Sequence, residues 1–569
     1  MNFEDATKYL MKTDNLFSVN KRYINNVEYK VLKNIPKNLI ELLTYAENKL
    51  SGKTYIVYND RRITFDDYLN KVNLLSKCLV GRYKISPGDR VAIAMRNCPE
   101  YLICLMGIIK AGGVAVLLNA WWTSEELKYG FKDSGALLSF VDPERHSRIK
   151  RFKGELNLTE ILVSSEYESS RNFKSENFEQ LISEKYSFPD FPKLNLKETD
   201  EFAIMYSSGS TGHPKGVVLT HIGAMNAIFS WKMFIEISKL TTKGSRSSLD
   251  FEPAILCATP LFHVTASHPT FFLSLAIGAK IVLMHKWNPY IALELIKKEN
   301  VTRFLGVPTM TADMANANKE LSLELPSLHY LGSGGAKRPE NQVQEQSDIF
   351  PKASLASGWG MTETNALGLG VIGEDYLKRP YSTGKLYPPI QELKIIDPLG
   401  AEVAKGSAGE LCIKSVTNMK GYLNKESETK KILNEGWLRT GDQAKVDEEG
   451  FVTIIGRFKE IIIRGGENIS CLEVEQVLHA FPDICEACVF PVPDERLGED
   501  VGCLIYLYPK ATLMLEDLRK FVAKRLSKFK NPKNFWISLN PLPRGATDKI
   551  DKKLISELCV KKGKFTQLN

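Results

Sequence analysis

Short apolar runs alternating with amphipathic stretches set the first limit on what this chain can fold into. Runs at 91–94, 114–118, 255–258 and 280–284 read as buried strands, while 99–109 carries the three-to-four-residue apolar repeat of a helix. Such alternation predicts an α/β protein in which helices cover sheets. After about residue 388 the pattern changes to short strand-like runs (392–396, 409–414, 451–456) punctuated by Gly, Pro and Asp, which predicts a small β-rich subdomain. A third unit begins near Lys459 with a Gly-rich loop, then a helix at 472–480, a strand, a second helix at 515–526 and a Lys-rich tail. The expected organisation is a large multi-layered N-terminal domain, 1–458, and a small mobile α+β C-terminal domain, 459–569, hinged near Lys459.

Several classes are disfavoured by composition. At 569 residues with 43% apolar and 25% charged side chains the chain reads as multidomain and globular. Its net charge of +8 is spread along the sequence, which suits an anionic substrate, and no nucleic-acid motif is present. The ten cysteines have no framework spacing and suggest a reducing, cytoplasmic setting. Cys485 and Cys488 alternate within a strand-like run, so packing is expected rather than metal binding. The first residues, MNFEDATKYL, lack the features of a secretory signal, and the final Gln-Leu-Asn is no peroxisomal or retention signal. The longest apolar stretch, 101–118, contains Lys110 and Gly112-Gly113 and splits better into helix and strand than into a membrane span. Peripheral membrane contact and a homodimer are compatible with these features and are argued by none of them. Thr241-Thr-Lys-Gly-Ser-Arg-Ser-Ser reads as a solvated loop.

Chemistry is concentrated first in Tyr206-Ser-Ser-Gly-Ser-Thr-Gly-His-Pro-Lys-Gly-Val217. It follows an apolar strand and precedes a helical pattern, which predicts a strand–loop–helix phosphate cradle. The hydroxyls of Ser207, Ser208, Ser210 and Thr211 add donors, Gly209 and Gly212 permit close approach, and Lys215 supplies a point charge. A P-loop NTPase is excluded by spacing, because Lys215 lies between Pro214 and Gly216.

This segment resembles the signature loop of the adenylate-forming superfamily, which includes acyl- and aryl-CoA synthetases, peptide-synthetase adenylation domains and beetle luciferases. Further segments resemble that family in its own order. They are Pro260-Leu-Phe-His263, Gly332-Ser-Gly-Gly-Ala336, Gly358-Trp-Gly-Met-Thr-Glu363, Gly409-Glu-Leu, Gly436-Trp-Leu-Arg-Thr-Gly-Asp442, Gly456-Arg-Phe-Lys-Glu460, Gly465-Gly-Glu-Asn468 and Leu542-Pro-Arg to Lys549. The match runs from about Leu39 to Leu554.

The resemblance implies an ATP-dependent ligase that makes an acyl-adenylate and then a CoA thioester, with ATP, Mg²⁺ and coenzyme A as cofactors. It implies that Thr362 reaches a phosphate and that Glu363 holds Mg²⁺, a hard cation that prefers oxygen. Gly334, Gly335, Ala336, Ser357, Gly358, Trp359, Gly360 and Met361 are implied to frame adenine, with the Trp359 ring stacked on it. Asp442 and Arg457 are implied to serve the ribose. Lys549 would bridge the substrate carboxylate and the α-phosphate, an electrostatic task suited to a lysine between two anions. Lys459 would be the hinge that exchanges Lys549 for a tunnel-forming face, with Gly466 lining the pantetheine path. His263 matches the wall between acyl pocket and thiol tunnel.

The chain departs from the family pattern at three positions. Ser357 replaces the commoner Asn, Gly545 stands where Thr is usual, and Asp548 stands where Gly precedes the lysine. A positive φ at 548 would strain Asp less than most residues, and its carboxylate could pair with Lys549 and weaken adenylation, which would suit a non-catalytic nucleotide- or acyl-binding relative. Amino-acid-activating relatives place an Asp where His263 stands, which disfavours an amino-acid substrate. Apolar runs at 271–277 and around Trp121-Trp122 resemble fatty-acyl-CoA synthetases, so a medium- or long-chain fatty acid is expected. An aryl acid, or transfer to a carrier protein, is the alternative, and no fused carrier domain supports the latter.

Overall fold

The computed structural model describes residues 1–163, 176–183, 194–207, 214–241, 251–458, 460–464, 467–545 and 548–568. Two large sheets dominate the N-terminal part. In one, Glu201–Ser207, Val114–Leu117, Arg90–Ala94, Leu138–Val141, Thr159–Leu162 and Glu176–Asn177 lie parallel in that order. In the other, Thr54–Tyr58, Lys280–Leu283, Ala254–Cys257, Arg303–Gly306, Tyr330–Gly334 and Ser354–Trp359 lie parallel, with antiparallel strands at both edges. Their strands are apolar on both faces because helices cover both, as parallel sheets require.

Helix Pro99–Lys110 shows how the sequence pattern becomes packing. Proline opens its first turn, where its missing N–H costs nothing, and the chain turns at Gly112 with φ 84° before entering strand Val114–Leu117. Pro99 through Ile109 are buried, so the apolar stretch is a layer of protein core. Among the described residues no helix is long and apolar enough to cross a membrane.

The predicted strand–loop–helix cradle is corrected here. Lys215–Thr220 is a strand antiparallel to Glu201–Ser207, with Ser207 opposite Lys215, and the helix starts only at His221. Val217 and Val218, β-branched and buried, favour a pleated strand, so the Gly/Ser loop joins two strands and has no helix N-terminus behind it. Ser208, Gly209, Ser210, Thr211 and Gly212 lie outside the described residues, as do Lys459, Gly466 and the solvated segment after Thr241.

Glu392–Ile396, Gly409–Lys414, Trp437–Val446 and Val452–Arg457 build a small antiparallel sheet, as expected. Beyond it, Ile461–Arg464 enters a separate sheet with Glu467–Ser470, Ile484–Asp494, Gly498–Leu507, Asn534–Ser538 and Thr566–Leu568. Helices Cys471–His479 and Leu515–Ala523 accompany this sheet, the second ending earlier than its apolar pattern suggested. Cys485 and Cys488 sit in strand Ile484–Asp494 as free thiols, Cys488 fully buried.

Candidate active site

The site is built at the C-terminal ends of two neighbouring parallel strands, Tyr330–Gly334 and Ser354–Trp359, where Gly334 is paired with Gly358. The chain leaves the first strand through Gly335, whose φ of 80° suits glycine, and a Cβ there would stand 2.8 Å from the Lys549 Cε. Gly360 is equally constrained, since a Cβ would meet the Ala366 carbonyl oxygen at 2.1 Å. Ala336 is exposed beside the cleft, and Ser357, Met361 and Thr362 are half-buried along it.

A single 3₁₀ turn, Thr362–Thr364, carries the two residues implied to meet phosphate and metal. It closes through left-handed Asn365 and Ala366, φ 52° and 61°. Fully buried Asn365 pins it, donating to the Thr417 carbonyl at 2.8 Å while its Oδ1 meets His268 Nε2 at 3.0 Å; His268 Nδ1 in turn meets Ser267 Oγ at 2.9 Å. Burial pushes the His268 pKa down to about 4, so the ring is neutral and serves as a structural hydrogen-bonding group. His268 belongs to a six-residue π-helical turn, Ser267–Phe272, of the kind that often marks functional sites.

Glu363 is buried, and its Oε1 accepts the Tyr422 hydroxyl at 2.8 Å. Among the described residues its second oxygen takes no protein donor. One oriented carboxylate fits Mg²⁺, which keeps much of its octahedral shell in water and phosphate oxygen. Tyr422 comes from Gly421–Tyr422, the edge strand beside Lys215–Thr220. The Lys215 ammonium lies 4.8 Å from the Tyr422 ring and forms an ion pair with Glu428.

Asp442 and Arg457 face each other across adjacent antiparallel strands, and the guanidinium Nε donates to Oδ1 at 2.7 Å. The Trp359 indole N–H donates to Oδ2 at 2.8 Å, so this tryptophan orients the acid. Burial raises the Asp442 pKa despite both donors.

Lys549 is presented by a hairpin whose ends bridge at Arg544 and Ile550 and whose tip is tied by the Gly545 N–H donating to the Lys549 carbonyl at 2.8 Å. Solvent reaches Lys549 through the open cleft, yet the protein around its ammonium, followed by the charge of Arg457, pushes its pKa down to about 8. Asp548 has φ 61°, the left-handed conformation for which glycine is usual. Its carboxylate lies 3.9 Å from Arg544 Nε, and Arg544 is also ion-paired to Glu486 and donates to the Asp548 carbonyl at 2.9 Å. Asp548 is thus turned towards Arg544, and the acids that act on Lys549 are Asp442 and Glu460. A Cβ at Gly545 would meet nothing closer than 3.8 Å, so glycine is not required there.

His263 precedes a short helical turn, Val264–Ala266, and its buried Nε2 has no hydrogen-bond partner among the described residues. Burial and then Lys549 push its pKa down to about 3, which makes it a neutral ring beside the lysine. A cavity of about 70 Å³ opens among Gly334, Gly335, Gly358, Trp359 and Gly360 and runs inward between the sheet and the turn carrying Thr265 and Pro269. Lys549, Glu363, Asp442, Arg457, Trp359 and His263 lie around one cleft. Tyr422, His268 and Asn365 were missed: no local pattern marks a residue that reaches a site through sheet pairing or a buried side-chain bond.

A glycine-walled cavity, a lysine beside it and a buried carboxylate aimed by a tyrosine suit a nucleotide-dependent enzyme that activates carboxylates. The chain belongs to the AMP-binding enzyme family, whose profile matches residues 43–423, with the AMP-binding enzyme C-terminal domain matching 473–549. It is 30% identical over 545 residues to a long-chain-fatty-acid–CoA ligase of Bacillus subtilis, covering 92% of this chain and 94% of that one. It is also 30% identical over 506 residues to 4-coumarate–CoA ligase 2 of Solanum tuberosum, covering 87% and 88%. The fold matches the crystal structure of the anthranilate CoA ligase AuaEII in complex with anthranoyl-AMP, with a TM-score of 0.81, 23% identity, and 92% and 98% of the two chains covered. The chain is accordingly an AMP-forming acid–thiol ligase, acyl or aryl, that uses ATP, Mg²⁺ and coenzyme A.

Proposed function

We propose that this chain joins ATP to a carboxylic acid, releasing pyrophosphate, and passes the acyl group to CoA. The observation that carries the reading is the convergence of Lys549 on Gly335 beside the Asp442–Arg457 pair, at the mouth of the cavity. Lys549 holds the reacting carboxylate against the α-phosphate and offsets the charge that accumulates as the new bond forms. Thr362 stands at the phosphates, and Glu363, aimed by Tyr422, would hold Mg²⁺, which neutralises phosphate charge when bound. Asp442, held by Trp359 and Arg457, accepts from the ribose. Neutral His263 neither repels the lysine nor competes for the acid.

Trp231, Phe234, Leu273 and Tyr387 line the cavity with rings and aliphatic carbon, which suits an aryl as well as an alkyl acid. Swinging of the second domain about Lys459 would then exchange the Lys549 hairpin for a thiol path past Gly466, with CoA rather than a carrier protein as acceptor. The orientation of Asp548 towards Arg544 removes the main argument for a non-catalytic relative.

The test is acid-dependent pyrophosphate release from Mg-ATP, with thioester detected by mass once CoA is added. Lys549→Ala should lose pyrophosphate release at least a hundredfold while still converting supplied acyl-adenylate to thioester. Equal loss of both half-reactions would refute the role given to Lys549.

A further inference from the structure

The cavity floor is one face of the nine-stranded sheet. Ile255, Arg303 and Tyr330 are neighbours in register on three adjacent parallel strands, and Leu305, two residues after Arg303, and Gly334, four after Tyr330, lie on the same face. Four of these five are what an acyl pocket requires. Arg303 is not.

Its guanidinium carbon lies 3.8 Å from the centre of the Tyr330 ring, and Tyr387, Phe234 and Trp231 complete an aromatic box around that end of the cavity. Tyr330 can lie this way because Gly332 has no Cβ, which would stand 2.5 Å from the ring. Among the described residues no carboxylate pairs with Arg303 and none of its N–H groups has a protein acceptor; burial lowers its pKa and only the Tyr330 and Tyr387 hydroxyls oppose that. Arg303 is half-buried and keeps its charge, and with N–H groups to spare on the cavity lining it is placed to meet an anion that arrives with the ligand. Tyr330 stands four residues before Gly334 on its strand, so the guanidinium's strand position lies about 13 Å from the Lys549 end.

We propose that the substrate is a dicarboxylic acid whose second carboxylate is held by Arg303 at the far end of the cavity while Lys549 holds the reacting one. The planar fork of an arginine takes a carboxylate through two parallel hydrogen bonds, and the Tyr330 ring holds one face of that fork. A hydrocarbon tail would leave the same cation unpaired. This inference rests on the ligase reading above and names the acid for it.

The experiment compares succinate, glutarate, adipate and suberate with monocarboxylates of equal length, measuring kcat/KM for pyrophosphate release and, separately, binding by calorimetry. At least one dicarboxylate should exceed its monocarboxylate by a hundredfold or more, and Arg303→Leu should reverse that order without abolishing turnover of the monocarboxylate. Equal or better use of monocarboxylates or ω-hydroxy acids by the wild-type enzyme would overturn the inference and leave the ligase reading intact. Dicarboxylate binding that Arg303→Leu abolishes, without turnover of any acid, would support the inference and overturn the ligase reading. Failure of every dicarboxylate both to bind and to react would overturn the inference, and the wild-type comparison stands even if the variant does not fold.

Discussion

The lowered pKa of Lys549 makes adenylation sensitive to alkali in a range where an ordinary lysine would not respond. The protein packed around its ammonium and then the Arg457 charge bring it from 10.5 to about 8, so the ammonium that must hold two anions together is half lost at that pH. At pH 9 about a tenth remains protonated, against nearly all of an unperturbed lysine, and kcat/KM should fall roughly tenfold between pH 7 and pH 9. Because kcat/KM reports the free enzyme while bound anions raise the lysine pKa, the corresponding limb in kcat should lie at higher pH. Pyrophosphate release measured without CoA isolates this step from titration of the CoA thiol. Lys549→Arg keeps its charge at every accessible pH and should be slower but flat over the same range. Raising ionic strength should move the wild-type limb upward by screening Arg457. A wild-type profile flat to pH 9.5, or an unchanged limb in Lys549→Arg, would refute the assignment.

Asp548→Gly should leave adenylation within about threefold and stability within ~1 kcal/mol, because Asp tolerates its left-handed backbone, whereas Asp548→Val should lower both, as a thermal melt and pyrophosphate release would show. Asn365→Leu should cost about 2–3 kcal/mol in urea denaturation, since it strips partners from His268 and the Thr417 carbonyl, and should slow adenylation by loosening the turn that bears Glu363. Tyr422→Phe should raise the Mg²⁺ concentration for half-maximal rate severalfold with little change in melting temperature, and an unchanged Mg²⁺ titration would show that Glu363 needs no orienting partner.

Much of the fold was legible because its cause is local. Strand and helix periods, the Pro–Gly punctuation of 99–112 and the change of pattern near residue 388 follow from side-chain spacing, and the structure repeats them. The phosphate loop was misread where two local signals compete: a glycine-rich loop before a helical pattern suggested a helix start, but Lys215–Thr220 pairs with Glu201–Ser207 and forms a strand first. Sheet pairing is non-local, so no window of sequence contains it.

The chemical class was legible in the sequence through the resemblance of an ordered set of motifs to the adenylate-forming superfamily; the residue types by themselves showed only a phosphate-binding loop and scattered charged groups. Tertiary structure alone decided how those groups are held and what they face. Trp359 turns its N–H to Asp442, Asp548 turns from Lys549 to Arg544, and Tyr422 arrives from an edge strand to aim Glu363. The same is true of Arg303. Within its own strand it is one polar residue in an apolar run; only parallel registration with Tyr330 and the nearness of Tyr387 make it a cation on the cavity lining with no carboxylate partner among the described residues. Its meaning depends on which distant atoms exclude water and which acceptors are missing, and those are properties of the packed protein.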